Sequence, residues 1–283
     1  MSTTVRVEFV GASGDNIVGR LERPVGPMRA CALFAHCFTC SKDLKAVVRI
    51  SRALAERDIG VLRFDFTGLG ESGGEFAATD FSSNVGDLLA AAELMRAELG
   101  GAQLLIGHSL GGAAVLSAAS RIAEVEAVVT LGAPSDTRHL SDSLLEASPG
   151  LAETEAVEIE LGGRPVMIGR ALVEDLARYD LGRDIAALGR PLLILHSPVD
   201  ETVDIDHAAR IYQAARHPKS FVSLDGADHL LLRRDEDSRF VAEIIACWSS
   251  RYFGGKRGAG RAEGPRPSSG GDISGSPEHS NRE

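Results

Sequence analysis

The stretch from Leu104 to Ala114 constrains the fold more than any other part of the chain. A short apolar run typical of a buried strand leads directly into Gly-x-Ser-x-Gly at Gly107–Gly111, and small apolar residues typical of a helix follow. Strand, tight turn and helix in this order hold the central serine, Ser109, at the tip of the turn. The flanking glycines allow close approach of the two backbones. The free N–H groups and positive dipole end of the helix would then stabilise negative charge beside Ser109.

Composition limits the class of protein. The chain has 283 residues, of which 44% are hydrophobic, so it can form one large or two small domains with a sizeable core. A net charge of −10, with no basic stripe, argues against a nucleic-acid partner. Met1–Val10 lacks the apolar core of a signal peptide, and no apolar run reaches membrane-spanning length. We therefore expect a cytoplasmic protein without a membrane partner.

Segments typical of strands and helices alternate along most of the chain. Residues 5–10 and 17–22 alternate polar and apolar side chains around a turn, which predicts an antiparallel hairpin. Further strands are predicted at 30–35, 61–64, 104–106, 127–131, 191–196 and 220–224, and helices at 45–57, 81–99, 205–215 and 235–252. Ser82 or Ser83 is the predicted cap of the second helix. This order predicts an α/β fold whose mostly parallel sheet has helices on both faces and Ser109 at the carboxyl edge.

Two segments depart from this alternation. Residues 136–190 predict a helix at 139–147, a hairpin at 156–168 with Gly162-Gly163 at its turn, and a helix at 170–179. This insertion would form a small cap near the catalytic edge. After Phe253 the composition changes to Gly, Ser, Pro and mixed charge, so 254–283 is a predicted disordered tail. The predicted domains are 1–253, including the cap, and the tail.

Two later strands end in loops that carry an acidic residue and a histidine. A serine hydroxyl is a weak nucleophile unless a base removes its proton and an acid orients that base. On this type of sheet the acid and the base follow the serine in that order. Asp200 lies in the loop after the strand at 191–196, and His229 lies in the loop after the strand at 220–224. Ser109, Asp200 and His229 are therefore the predicted catalytic residues.

Other residues compete for these two roles. Glu201 and Asp204 are alternative acids, although Asp200 comes first after the strand. Three further histidines are alternative bases. His196 ends a strand, where the competing role is that of a hydrogen-bonded core residue. His207 and His217 lie on or after a predicted surface helix. No His-x-x-x-His spacing is present, and the chemistry requires neither a metal nor an organic cofactor.

An oxyanion hole needs two backbone N–H donors. One is the residue after the nucleophile, Leu110, and the other belongs to the loop after an earlier strand, where Phe38 is the predicted donor. His36 would support that loop, or act only as a strand-end hydrogen bonder. His108, within the turn, is expected to pack beside Ser109.

Together these motifs resemble the α/β-hydrolase superfamily, and in particular its serine hydrolases of the feruloyl-esterase and dienelactone-hydrolase-like kind. The motifs are Ala35–Thr39, Asp65–Ser72, Gly107–Gly112, His196–Val203 and Gly226–His229. The resemblance covers roughly residues 5–253 and implies the α/β-hydrolase fold.

More narrowly, Ala35–Lys42 and His217–Phe221 resemble the hydrolase half of bifunctional α/β-hydrolase/OsmC proteins, in which a thiol-peroxidase domain follows the hydrolase. This chain carries a polar tail in that position, so we do not carry over peroxidase activity.

We expect mainly structural roles for the four cysteines. Where relatives often have glycine, this chain has Cys37, and Cys40 follows at Cys-x-x-Cys spacing. The next predicted helix begins several residues later and cannot lower a thiol pKa, which favours two small residues shaping the loop over a redox pair. Cys31 and Cys247 lie in apolar runs typical of the core.

The sequence thus predicts a serine hydrolase that cleaves an ester, thioester or activated amide of a small molecule through an acyl-enzyme. The alternative is a catalytically weak or redox-regulated module that acts with an OsmC-type partner.

Overall fold

The predicted strands form one sheet. The computed structural model describes residues 2–161 and 164–254. The strands of this sheet are β1 (Ser2–Val10), β2 (Asn16–Pro24), β3 (Ala30–Ala35), β4 (Ile59–Phe64), β5 (Leu104–His108), β6 (Ala127–Leu131), β9 (Leu192–His196) and β10 (Lys219–Ser223). Two more strands, β7 (Ala156–Leu161) and β8 (Arg164–Gly169), pair only with each other.

The strand order places Ser109 centrally. The order is β1-β2-β4-β3-β5-β6-β9-β10. Strands β1, β2 and β4 pair antiparallel, and every pairing from β4 to β10 is parallel. The carboxyl ends of β3, β5, β6 and β9 therefore meet at one edge, which is where ligands bind in open α/β sheets. This is the predicted α/β-hydrolase architecture, including the N-terminal antiparallel hairpin.

Helices cover both faces of the sheet. They are α1 (Lys45–Ala55), α2 (Phe81–Leu99), α3 (Leu110–Ala118), α4 (Arg138–Ala147), α5 (Arg170–Arg178), α6 (Leu181–Ala187), α7 (Ile205–Ala214) and α8 (Asp235–Ser249). Successive strand residues point to opposite faces. Leu33 and Leu105 belong to the core under α2, α3 and α7, whereas Phe34 and Ile106 belong to the core under α1 and α8. Burial on both faces explains the continuous apolar runs of these strands.

Two local predictions were wrong. Helix α2 is capped by Asp80, whose carboxylate accepts the N–H of Ser83 at 2.6 Å, while the Ser83 hydroxyl accepts the Asp80 N–H at 2.9 Å. Ser83 is thus the second member of a capping box and not the cap itself. Cys247 is exposed on α8, whereas Cys31 is buried as expected.

The insertion contains the predicted helices and hairpin, together with the additional helix α6. Its residues Ile168 and Leu172 are fully buried in the same core as α2 and α3, so the insertion packs on the main domain. The predicted Gly162-Gly163 turn lies outside the described residues, as does the predicted tail beyond Gly254. The described chain forms one compact unit up to Phe253. Within it, no helix combines the length and apolar character needed to cross a membrane.

Candidate active site

The turn around Ser109 has the sharp geometry that its sequence predicts. Ser109 has φ 54° and ψ −125°, a left-handed conformation that is rare outside glycine, and its N–H donates to Leu131 C=O at 2.8 Å. A Cβ at Gly107 would overlap Gly111 O, and a Cβ at Gly111 would overlap Ala35 O. Both positions therefore require glycine, because α3 crosses directly against β5 and the end of β3.

Asp200 and His229 are hydrogen-bonded to each other. His229 Nδ1 lies 2.7 Å from Asp200 Oδ2, while Asp200 Oδ1 accepts the N–H groups of Thr202 and Val203, each at 2.9 Å. Burial would raise the pKa of Asp200, but the hydrogen bonds from His229 and Val203 outweigh burial and hold the pKa below its ordinary value. An ionised Asp200 accepts the proton on Nδ1 and leaves His229 Nε2 free to act as a base.

The structure separates Asp200 from its two competitors. Asp204 accepts the N–H of Asp206 at 2.8 Å and caps α7, and Glu201 is exposed on the same loop. Neither has a hydrogen bond to His229 in the described part of the chain. Only Asp200 is placed to orient the histidine.

Gly132 is a site residue that the sequence reasoning missed. It follows β6 with φ 52°, and a Cβ here would lie 3.2 Å from both Asp200 Oδ2 and His229 Nδ1. The lack of a side chain at Gly132 therefore leaves room for the hydrogen bond between Asp200 and His229. A glycine directly after a buried strand, at the carboxyl edge of the sheet, is the signal that could have found it.

Buried histidines support the loops around this pair. His108 Nε2 donates to His229 C=O at 2.7 Å, and burial, with the nearby His229, lowers the pKa of His108 to about 3. His108 thus packs beside the site as expected and is too weak a base to replace His229. His196 Nε2 donates to Val203 C=O at 2.7 Å and holds the acid loop.

His207 differs from its prediction as a surface residue. It is 5% exposed, and its Nδ1 accepts the N–H of Ser135 at 3.1 Å. It thereby ties α7 to the segment that leads into the cap. His217 is exposed.

Phe38 and Leu110, the predicted oxyanion donors, both line the cleft beside Ser109. Neither Phe38 N–H nor Leu110 N–H has an acceptor among the described residues. His36 Nδ1 donates to Cys37 C=O at 2.7 Å, and burial lowers the pKa of His36, so this buried ring stays neutral. His36 thus braces the loop after β3, in line with its predicted supporting position.

Cys37 and Cys40 are joined in a disulfide. The expectation that they act only as two small loop residues is therefore wrong. The distance to the next helix affects the reactivity of a thiol, whereas disulfide formation depends on whether the loop conformation brings the two sulfurs within bonding distance.

The site opens into a cleft of about 380 Å³ that contains both Ser109 and His229. Apolar side chains line much of it, including Phe38, Leu110 and Leu230. His139, Leu140 and Ser143 of α4 also line it, so the insertion reaches the cleft. In the described part of the chain, no three His, Cys, Asp or Glu side chains are grouped as metal ligands.

Comparison with known proteins agrees with this geometry. Residues 32–244 match the model of the alpha/beta hydrolase family. The crystal structure of the esterase domain of a Rhodothermus marinus protein is 46% identical, with a TM-score of 0.72, over 88% of this chain and 99% of that one. The Est1E structure from Butyrivibrio proteoclasticus with bound ferulic acid is 20% identical, with a TM-score of 0.75, over 87% of this chain and 99% of that one, and supports the fold.

Among curated proteins, YfhR of Salmonella typhi is 26% identical over 209 residues, which are 72% of this chain and 66% of YfhR. The match to YfhR thus spans just under two thirds of that protein's own length. The family match covers most of the present chain, and the Rhodothermus domain covers 88% of it. The chain belongs to the alpha/beta hydrolase family, and it is an esterase-like hydrolase.

Proposed function

We propose that the chain is a serine hydrolase that cleaves a small-molecule ester through an acyl-enzyme intermediate. The observation that carries this proposal is the 2.7 Å hydrogen bond between His229 Nδ1 and Asp200 Oδ2 beside a cleft that also contains Ser109. This arrangement leaves the second nitrogen of His229 available to take the serine proton. The relatedness to an esterase domain, at 46% identity, supports an ester as the substrate bond.

The reaction then proceeds in two stages. His229 accepts the proton of the Ser109 hydroxyl while Ser109 Oγ bonds to the substrate carbonyl carbon. His229 returns that proton to the leaving oxygen, which departs and leaves the acyl group on Ser109. Water attacks the acyl-enzyme in the second stage, with His229 again acting first as base and then as acid. Asp200 stays ionised throughout and stabilises the positively charged imidazole.

The N–H groups of Phe38 and Leu110 stabilise the negative oxygen of each tetrahedral intermediate. Each such donor contributes a factor of about 10² to 10³ in kcat in other hydrolases. A thioester or an activated amide fits the same steps, because only the leaving atom changes. No metal ion or organic cofactor enters any of them.

The cleft favours an apolar acyl or aryl group. Phe38, Leu110 and Leu140 are among the apolar residues that line the cleft together with Ser109. Burying such surface supplies roughly 25 cal/mol per Å² of substrate area removed from water. Esters of short or medium acyl chains with an aromatic leaving group are therefore suitable probes.

Replacement of the nucleophile tests the proposal directly. We expect Ser109→Ala to abolish hydrolysis of p-nitrophenyl butyrate and labelling by a fluorophosphonate probe, because both need an activated serine. The neighbouring Ser143→Ala, which also alters the cleft wall, should retain labelling. Unchanged hydrolysis by Ser109→Ala would contradict the proposal.

A second pair of variants tests the acid. Asp200→Asn should lower kcat by about 10⁴-fold, because the amide cannot hold the required His229 tautomer. Glu201→Gln, on the same loop, should keep wild-type kcat. Steady-state kinetics on p-nitrophenyl butyrate measures both, and equal losses in the two variants would refute the assignment of Asp200.

A cytoplasmic location and an OsmC-type partner remain predictions from the sequence. The motifs that resemble the bifunctional proteins lie in the hydrolase part of the chain, and the comparisons concern that part.

A further inference from the structure

The Cys37–Cys40 disulfide encloses the proposed oxyanion donor. It links residues three positions apart, and Phe38 and Thr39 lie between them. Cys37 is 3% exposed, whereas Cys40 is half-buried. Cys40 borders both the catalytic cleft and an adjoining groove of about 560 Å³. The disulfide is therefore part of the wall of the active site, and a small reagent can approach it from the Cys40 side.

The residues between the two cysteines have an unusual conformation. Thr39 has φ 58°, in the left-handed region that a β-branched residue adopts only when its surroundings impose it. Cys40 N–H donates to Cys37 C=O at 3.1 Å and closes a tight turn. The loop is held at one end by β3 and at the other by the bonds of Lys42 to Asp65. Relaxation of Thr39 toward negative φ therefore requires compensating rotations at Cys37 and Phe38, and these rotations change the direction of the Phe38 N–H.

The rest of the loop is anchored independently of the disulfide. Asp65 Oδ1 accepts Lys42 N–H at 2.6 Å, and Asp65 Oδ2 accepts the Lys42 ammonium at 2.7 Å. Arg63 Nε donates to Lys42 C=O at 2.9 Å. Lys42 and Asp65 are at most 1% exposed, so solvent weakens these bonds little. Loss of the disulfide would therefore loosen the turn at Phe38 and Thr39 while the end of the loop stays attached to β4.

A ring this short contributes less to overall stability than a long one. Cross-links stabilise mainly by restricting the unfolded chain, and the effect grows slowly with the number of residues enclosed. The position of this disulfide around Phe38 points to a local role in addition to that contribution.

We propose that the Cys37–Cys40 disulfide positions the Phe38 N–H for catalysis, and that its reversible reduction by a dithiol slows hydrolysis. This proposal rests on the proposed serine hydrolase function. A thiolate of the dithiol attacks Cys40 Sγ, the S–S bond breaks, and Cys37 leaves as a thiolate that takes up a proton. The second thiolate of the reagent then attacks the reagent's other sulfur, which is bonded to Cys40 Sγ in the mixed disulfide, and Cys40 is released as a thiol. The dithiol is oxidised to a cyclic disulfide, and two electrons and two protons pass to the protein.

Such a bond responds to its surroundings. Disulfides persist in oxidising compartments and are usually transient, catalytic or redox-sensing where glutathione and thioredoxin keep thiols reduced. The hydrolase would thus be fast under oxidising conditions and slow under reducing conditions.

Reduction of the intact chain tests the proposal. The protein is treated with dithiothreitol, freed of it by gel filtration under argon, and assayed with p-nitrophenyl butyrate per active site titrated by a fluorophosphonate. Mass spectrometry after alkylation counts the thiols. We expect kcat to fall by roughly tenfold to a hundredfold, because complete loss of one oxyanion donor sets the upper limit of the effect. The KM of the reduced enzyme should stay within about twofold of that of the oxidised enzyme. The Ki of a trifluoromethyl ketone, which forms an oxyanion on Ser109, should rise in parallel, and reoxidation should restore kcat.

Two variants provide the controls. The double variant Cys37→Ser/Cys40→Ser should match the reduced enzyme and no longer respond to the dithiol. Cys247→Ser, which removes the exposed free thiol on α8, should respond like the parent. The proposal would be overturned if kcat is unchanged in protein whose Cys37 and Cys40 are both shown by alkylation to be free thiols. A double variant as fast as the oxidised enzyme would also overturn it. An oxidised chain that neither hydrolyses the ester nor labels with the fluorophosphonate would instead overturn the proposed function.

Discussion

At the scale of single residues, the site depends on histidines that are held neutral by burial. His108 donates from Nε2 to the backbone of His229, and its pKa is about 3 because burial disfavours the charged ring. In the unfolded chain the ring takes up a proton near its ordinary pKa of about 6.5. Between these two values the unfolded state binds the additional proton, so the free energy of unfolding decreases as the pH falls.

Removing this titration should flatten the pH dependence of stability. Between pH 7.0 and 4.5, His108 accounts for a loss of about 2 to 3 kcal/mol, at up to roughly 1.36 kcal/mol per pH unit. Gln in place of His108 keeps a donor for His229 C=O and cannot titrate. We expect the change in the free energy of unfolding between pH 7.0 and 4.5 to be about 2 to 3 kcal/mol smaller in His108→Gln than in wild type. Urea unfolding at the two pH values measures it.

Comparing each protein with itself at two pH values removes any pH-independent cost of the substitution. If wild type and His108→Gln lose the same free energy of unfolding on acidification, His108 is not the buried neutral group that the structure indicates.

The residue-level predictions depended on whether a sequence pattern ties a residue to an element. Ser109 could be placed on a tight turn because its strand, turn and helix are contiguous. Asp200 and His229 could be placed at one edge of the sheet from their order after two strands. The disulfide could not be predicted, because its formation depends on the local conformation of the loop, and the Lys42–Asp65 pair could not, because no motif relates these two residues.

At the scale of elements, the close approach of α3 to the end of β3 defines the site. Gly111 makes this approach possible, since a Cβ there would overlap both Ala35 O and His36 O. Apolar patterning predicted β3, β6 and α2 with the boundaries that the structure has. It could not predict that α2 begins at an Asp80–Ser83 capping box, because the apolar period does not distinguish one polar residue before the helix from the next.

Two helical glycines provide a matched test of this contact. Gly111→Ala should lower the free energy of unfolding by roughly 1 to 3 kcal/mol, because backbone atoms must move to admit the methyl group. Gly182, in α6, is exposed, and a Cβ there would lie 3.6 Å from its nearest neighbour, Asp180 Oδ1. Gly182→Ala should therefore stabilise the protein by up to about 1 kcal/mol, the intrinsic helical preference for alanine.

Urea unfolding of both variants at neutral pH measures this difference. If Gly182→Ala destabilises the protein as much as Gly111→Ala does, the loss of free energy of unfolding comes from replacing any helical glycine and not from contact with the end of β3.

At the scale of the whole molecule, buried charges connect parts of the chain that are distant in sequence. Arg63 donates to Glu22 at 2.8 Å and to Lys42 C=O at 2.9 Å, and Lys42 in turn pairs with Asp65. These bonds tie the N-terminal hairpin, β4 and the loop of the oxyanion donor together. Buried ion pairs cost desolvation and are weak devices for stability. Their contacts with Lys42, in the loop after β3, are better explained by the fixed geometry that they impose on that loop.

The compact unit that carries the proposed site extends to Phe253. Every residue placed in the site precedes it, and α8 contributes Val241 and Ile245 to the core shared with α1. The composition of residues 254–283, with one bulky apolar residue, Ile273, is not that of a segment that forms a hydrophobic core. We therefore expect a chain ending at Gly254 to keep the kcat/KM for p-nitrophenyl butyrate and the urea midpoint of the full chain.

A chain ending at Phe240 is the matched control for this truncation. It removes Val241 and Ile245 from the core, and each buried aliphatic side chain contributes roughly 1.5 to 3 kcal/mol relative to exposure. Because whole domains are stable by only about 5 to 15 kcal/mol, the loss of these and their neighbours on α8 should leave that chain unfolded. Far-ultraviolet circular dichroism and the ester assay distinguish the two truncations. A chain ending at Gly254 that lost activity or stability would place part of the functional unit in residues 255–283.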